Sequence, residues 1–246
     1  MGNEPSLEQN GLAAAVGCAT GFLWSVVAGE ADLKKAEGWR EAGLGCAGSA
    51  INAASIYAIS GAMSNNGTLA RDITYGWMGV QSAASLTTRA GRFFNIENKA
   101  GFKAVALPLN IAAAPLTALV GSLRGGLTLI SSSAATVQTF GGTLLFHDRA
   151  SCDNAPSTTG FTIHCMESSE SPHFRHEQGH SVQSALLGDF GRLGIIIGDI
   201  LVGTIVSDPS YLIFGILSPG KLTLEPWADQ YDRSVTKKLT LKARTP

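Results

Sequence analysis

Charge is scarce in this sequence. Asp, Glu, Lys and Arg make up 15% of its 246 residues, against about 25% in ordinary soluble domains. The formal net charge is −1, so the chain lacks the basic excess that tracks a phosphate backbone, and a nucleic-acid partner is excluded. The missing charge is not replaced by leucine. Gly alone takes 29 positions, Ala and Ser are abundant, and the mean hydropathy is only +0.16. Four cysteines, at 18, 46, 152 and 165, form no CxxC pair, so a cysteine-based zinc site is not expected. Cys152 and Cys165 bracket a polar loop; they form either a disulfide, in an oxidising compartment, or two free thiols. The opening MGNEPSLEQN is polar and acidic and does not read as a signal peptide.

What the chain does have is long uncharged runs of small residues. Residues 11–29 carry no charge, with Ala13, Gly17 and Gly21 at four-residue spacing. After a charged linker, residues 42–70 are again uncharged, with Ala47, Ala50 and Ala54 as the small positions. The pattern predicts two helices packed as a hairpin, small residues letting the backbones approach, as at membrane helix interfaces. A mixed-polarity helix is expected near 71–91. Residues 104–123 form another uncharged stretch, interrupted by Pro108 and Pro115. TVQTFGGTLLFHD and GFTIHCM read as strands, β-branched and aromatic residues lying around a Gly pair in the first. These runs are long enough to span a bilayer. Ala, Gly and Ser contribute little to insertion, however, so a soluble helical core and a membrane-facing one both remain open.

The stretch from Ser171 to Leu187 holds the pattern with the most chemistry: His176, Glu177, Gln178, Gly179, His180. On a helix, residues i and i+4 lie on one face, so the two imidazoles converge. Neutral imidazole nitrogen is a good zinc ligand. Glu177, beside the first ligand, can take a proton from a metal-activated water. Ser171 and Pro172 predict the helix start, and Gly188 its end. His173 shares a face with His176 and reads as a solvated first-turn residue. His147 and His164 read as strand histidines with hydrogen-bond partners.

A third ligand is required. Position 183 is Gln and position 186 is Leu, so the H-E-x-x-H-x-x-G-x-x-H continuation fails. LEPWADQY, residues 224–231, offers Glu225 and Asp229 at i, i+4 on a helix beginning near Thr223. Glu225 is the candidate metal ligand. Asp229, one turn on, is the candidate acceptor for the second N–H of a ligating histidine. Tyr211, Tyr231 and Arg175 are candidates for stabilising a developing oxyanion.

HEQGHSVQS followed by EPWAD resembles the gluzincin-type metallopeptidase-like segments near the C-termini of bacterial RHS and other polymorphic-toxin proteins. The residues that carry the resemblance are His176, Glu177, Gly179, His180, Gln183, Ser184, Glu225, Trp227, Ala228 and Asp229. It covers the C-terminal part of the chain, less than half of it. Gln178 stands where those segments have an aromatic residue. The resemblance implies a metal site and a hydrolase class rather than a particular substrate. Its toxin setting implies a secreted or delivered effector, with a larger parent protein or an immunity partner.

The expected fold is therefore α+β and predominantly helical. A small-residue helical region, 1–103, packs with a zincin-like region, 104–246, that holds a small sheet and the HEQGH helix. The expected function is a zinc-dependent hydrolase, a metallopeptidase acting on a peptide or protein through a zinc-activated water. His176, His180 and Glu225 are the ligands and Glu177 the general base. The alternative is a membrane-interacting or pore-associated protein, in contact with lipid through its small-residue helices, whose HEQGH site is structural or inactive.

Overall fold

The computed structural model describes residues 4–28, 31–147, 156–164 and 173–206, together with Leu224, Trp227 and Ala228. Among the described residues six helices have defined bounds, in chain order: α1 (Leu7–Val27), α2 (Ala36–Ser64), α3 (Gly67–Phe93), α4 (Ala100–Ala113), α5 (Pro115–Ser131) and α6 (Phe174–Val206). Between α5 and α6 lie β1 (Thr136–Phe140), β2 (Thr143–His147), β3 (Ser157–Thr159) and β4 (Thr162–His164). The chain is mostly helical with one small mixed sheet, the α+β class expected.

The α1–α2 hairpin forms because one face of each helix has almost no side chain. On α1 the buried residues are Ala13, Gly17, Gly21 and Ser25, one per turn. They meet Gly45, Ser49 and Ala53 of α2. A Cβ at Gly17 would lie 2.5 Å from the Ser49 carbonyl oxygen, and one at Gly21 would collide with the Gly45 carbonyl. The α2 face is not the expected one. Ala47 is exposed and Ala50 and Ala54 are half-buried, while Gly45, Gly48, Ser49, Asn52 and Ala53 are buried. All of these are small or polar, so composition alone did not single out the face. Cys18 and Cys46 close the hairpin with a disulfide, their Cα atoms 3.8 Å apart. Neither Cys152 nor Cys165 lies among the described residues.

The uncharged run 42–70 does not continue as one helix. Asn65 adopts a left-handed conformation (φ 48°) and ends α2, and the Asn66 side chain accepts from the Leu69 N–H, capping α3. Pro108 sits inside α4, Pro115 opens α5, and the two helices meet at 113°. The α5 N-terminus is capped from a distance. Asp189 accepts from the N–H groups of Leu116 at 2.8 Å and Thr117 at 2.9 Å.

The sheet has the order β1-β2-β4-β3, with β2 and β4 parallel and the outer pairs antiparallel. Gly141 and Gly142, both at positive φ, make the two-residue turn between β1 and β2. The strand β3 falls between Cys152 and Cys165, in the stretch read from sequence as a polar loop. The sheet rests on α5 through glycine. A side chain at Gly121 would strike Thr162, and one at Gly125 would strike the Phe146 ring. Phe140, Leu145, Ile163 and Phe174 form the core between the sheet and the start of α6.

Gly188 breaks α6 as expected (φ 66°, ψ −177°), but the chain re-enters helix at once and continues to Val206. Polar side chains from neighbouring helices replace the lost intrahelical bonds. Ser49 Oγ donates to the Leu186 carbonyl at 2.9 Å, and Asn52 Oδ1 accepts from Phe190 N–H at 3.3 Å. Asn52 is itself held by Gln81 at 3.2 Å. A Cβ at Gly188 would lie 2.6 Å from both amide nitrogens, so only glycine fits. These contacts tie α2 and α3 to α6, across the division at 103/104 that the sequence suggests.

Candidate metal centre

The first half of α6 is buried almost all round, and what it buries is polar. Glu177, Gln178, His180, Ser181, Gln183 and Ser184 are each at most 6% exposed. Such a helix is stable only if each polar group finds a partner. Gln178, the residue in the aromatic position, donates from Nε2 to Glu97 Oε1 at 2.7 Å. Arg175 donates from Nη1 to Gln178 Oε1 at 2.6 Å and pairs with Glu97 Oε2 at 3.3 Å. The guanidinium also lies 5.5 Å from the centre of the Phe174 ring. Arg175, a candidate oxyanion stabiliser, is therefore engaged with the segment that joins α3 to α4.

His176 and His180 lie on one face, one turn apart, their rings edge to face with centroids 4.9 Å apart. His176 is half-buried, whereas His180 is buried. Thr158 of the edge strand β3 donates from Oγ1 to Glu177 Oε2 at 2.5 Å, and the same hydroxyl lies 3.2 Å from the Glu177 carbonyl. On the other side His180 Nδ1 is 2.9 Å from Gln183 Oε1, and Gln183 Nε2 donates to the Leu224 carbonyl at 2.8 Å. Leu224, Trp227 and Ala228 are helical and buried. Leu224 and Trp227 pack in one cluster with Val182, Leu186, Leu187 and Ile195, so these two residues rest on the helix that carries HEQGH.

The described residues contain no group of three or more His, Cys, Asp or Glu side chains arranged to hold a metal ion. Glu225, Asp229, Tyr211 and Tyr231 lie outside the described residues. Leu224, which precedes Glu225, is described and bonded to Gln183, and Trp227 packs against α6. The groups that are present fit zinc in kind: two imidazoles on one helix face, with a carboxylate beside them.

The other histidines sit apart from this group. His173 is exposed before the first turn of α6. His147 Nε2 is 3.3 Å from Gln138 Oε1. His164 is buried, stacked on Phe146 with centroids 5.2 Å apart, and its Nε2 is 3.1 Å from Thr162 Oγ1. Burial, and then the charge of Arg124, push its pKa from 6.5 down to about 4, so it stays neutral. A cavity of about 450 Å³ lies elsewhere, lined by Ile56, Ile59, Met63, Ile73, Trp77 and Leu116 among others. Its acidic residue, Asp189, is taken up in capping α5. It therefore offers size with its one acidic side chain already engaged.

Thr158 and Glu97 were not singled out in the sequence. Glu97 is an acid in a loop, and Thr158 sits among turn formers; nothing in either stretch points to α6. Comparison with protein-family models, curated proteins and solved structures finds no match.

Proposed function

We propose that the protein is a zinc-dependent hydrolase, a metallopeptidase held at a membrane by its helical part. His176, His180 and Glu225 would hold the metal. The observation that carries the reading is the preparation of the HEQGH turn. Its imidazoles are adjacent, its carboxylate is oriented by Thr158, and the second imidazole is anchored by Gln183. A buried polar turn with no chemical task would be more cheaply built from apolar residues. Zinc, when bound, supplies a Lewis acid that polarises a carbonyl and makes water a usable nucleophile at neutral pH.

Glu177 supplies the proton transfers. It takes a proton from the attacking water and returns it to the leaving amine, and Thr158 keeps one of its oxygens from rotating. The position of Thr158 on an edge strand supports a peptide substrate. An extended chain adding to the outer side of β3 would run past Glu177. The substitution Glu177→Gln is expected to lower peptide hydrolysis by roughly 10²- to 10⁴-fold with zinc content unchanged. Full hydrolysis by the variant would overturn the assignment of the base.

The membrane part of the reading rests on where the large residues are. Small and polar groups fill the helical interior, and the big apolar side chains face out. On α5, Leu123 is 61% exposed, Leu127 68% and Ile130 85%. The acids Glu41 of α2 and Asp199 of α6 are buried instead. In water such a surface is an aggregation liability; in lipid it is the usual arrangement. Among the described residues two helices, α1 and α2, are long and apolar enough to cross a membrane, and the bent α4–α5 pair passes the same test as a broken span. The full chain is expected to co-float with phosphatidylcholine vesicles and to resist extraction by carbonate. A monodisperse protein in detergent-free buffer that stays at the bottom of the gradient would remove this part.

A further inference from the structure

We infer that Gln183 is the positioning residue of the site, fixing the tautomer of His180 and seating the segment that carries Glu225. The inference rests on the zinc reading above for its purpose, but not for its geometry. Gln183 is buried, 1% exposed, and lies three residues after His180 on the same helix face. Its amide is held at both ends. The nitrogen end is fixed by the Leu224 carbonyl, 2.8 Å away, because a carbonyl can only accept.

The oxygen end must then face His180 Nδ1, 2.9 Å away. An amide oxygen can also only accept, so Nδ1 carries the hydrogen. In a neutral ring this leaves the lone pair on Nε2, the nitrogen that can bind a metal. Asp229 is the residue expected from sequence to orient a ligating histidine. For His180 that acceptor is Gln183.

The second consequence concerns the neighbouring segment. The carbonyl that Gln183 grips belongs to Leu224, immediately before Glu225, and Leu224 and Trp227 both pack with Val182, Leu186 and Leu187. One side chain therefore couples the ring orientation of His180 to the backbone of Leu224, the residue before the proposed next ligand. Removing it would loosen both, and outer partners of this kind are worth roughly 10- to 100-fold in metal affinity.

The test is read first on metal-free protein. Full-length chain labelled with ¹⁵N-histidine is prepared in detergent above the imidazole titration range, and the ring-nitrogen signals of His180 are assigned by their absence in His180→Ala. Wild type is expected to show the Nδ1–H tautomer. The substitution Gln183→Leu is expected to move it to Nε2–H, while Gln183→Glu, which keeps an acceptor at that point, retains Nδ1–H. An Nε2–H tautomer in wild type overturns the inference without any variant having to fold. So does an Nδ1–H tautomer that survives in folded Gln183→Leu. In a zinc titration, Gln183→Leu is expected to raise the Kd by roughly 10- to 100-fold, and an unchanged Kd would refute the role toward the metal. If wild type binds no zinc and the tautomer still switches, the hydrolase reading fails while the assignment of Gln183 to His180 stands.

Discussion

The α1–α2 hairpin and the first half of α6 are both buried helix, and they are buried by opposite means. In the hairpin, side chains are absent or very small. Glycine backbones touch across the interface, and Gly17 meets the Ser49 carbonyl with no room for a methyl group. In α6, side chains are present and polar, and three of them are oriented by partners outside the helix: Gln178 by Glu97, Glu177 by Thr158, Gln183 by the Leu224 carbonyl. Close backbone contact, together with the Cys18–Cys46 disulfide, gives a rigid frame. A satisfied polar turn gives fixed orientations at donor and acceptor atoms, which is what a metal site needs. The first region is scaffold, and the second is where the proposed chemistry would lie.

The comparison can be broken most severely in the hairpin. Gly21→Leu places a branched side chain against the Gly45 backbone, which cannot step aside. Overpacking of this kind costs about 1–3 kcal/mol, occasionally more. The variant is expected to fail to accumulate, or to melt well below wild type in detergent. Gly43→Leu is the matched control, since Gly43 lies on α2 with nothing within 4 Å of its would-be Cβ. It should be stabilised, by at most ~1 kcal/mol, because glycine is a poor helix former. Equal loss in both variants would show that the helices tolerate no bulk at all and that the contact is not specific.

A smaller effect sharpens the polar side. His164 has a folded-state pKa of about 4 against the usual 6.5, because burial and Arg124 disfavour its charge. The unfolded chain therefore takes up a proton that the folded chain refuses between those values. This contribution to stability is whole above pH 6.5 and is lost progressively as the pH falls toward 4. His164→Gln, which keeps a partner for Thr162, should flatten the stability profile over that window. Denaturation midpoints at several pH values check it; a profile of unchanged slope would mean that the histidine is solvated.

The HEQGH helix, the Gly141–Gly142 turn between strands and the helical hairpin are all legible in the sequence. Each follows from local pattern, because helix faces, tight turns and small-residue stripes are written in residues a few positions apart. The contacting face of α2 is not legible in that way. Gly, Ala and Ser occur on every side of that helix, and the choice depends on what α1 presents. The disulfide escapes for the same reason, although Gly-Cys-Ala at 17–19 and again at 45–47 is a visible signal. The continuation of α6 past Gly188 depends on Ser49 and Asn52, more than 130 positions away in the chain. The roles of Thr158 and Glu97 are likewise long-range, and no spacing rule finds them.

The central claim is that the HEQGH turn, with a further ligand, holds zinc. Metal analysis of the purified full-length chain at neutral pH tests it most directly, with wild type, Glu177→Gln, His180→Ala and Glu225→Ala side by side. One zinc per chain is expected in the first two and little or none in the last two. Wild-type protein that carries no metal and takes up none from buffered zinc would contradict it.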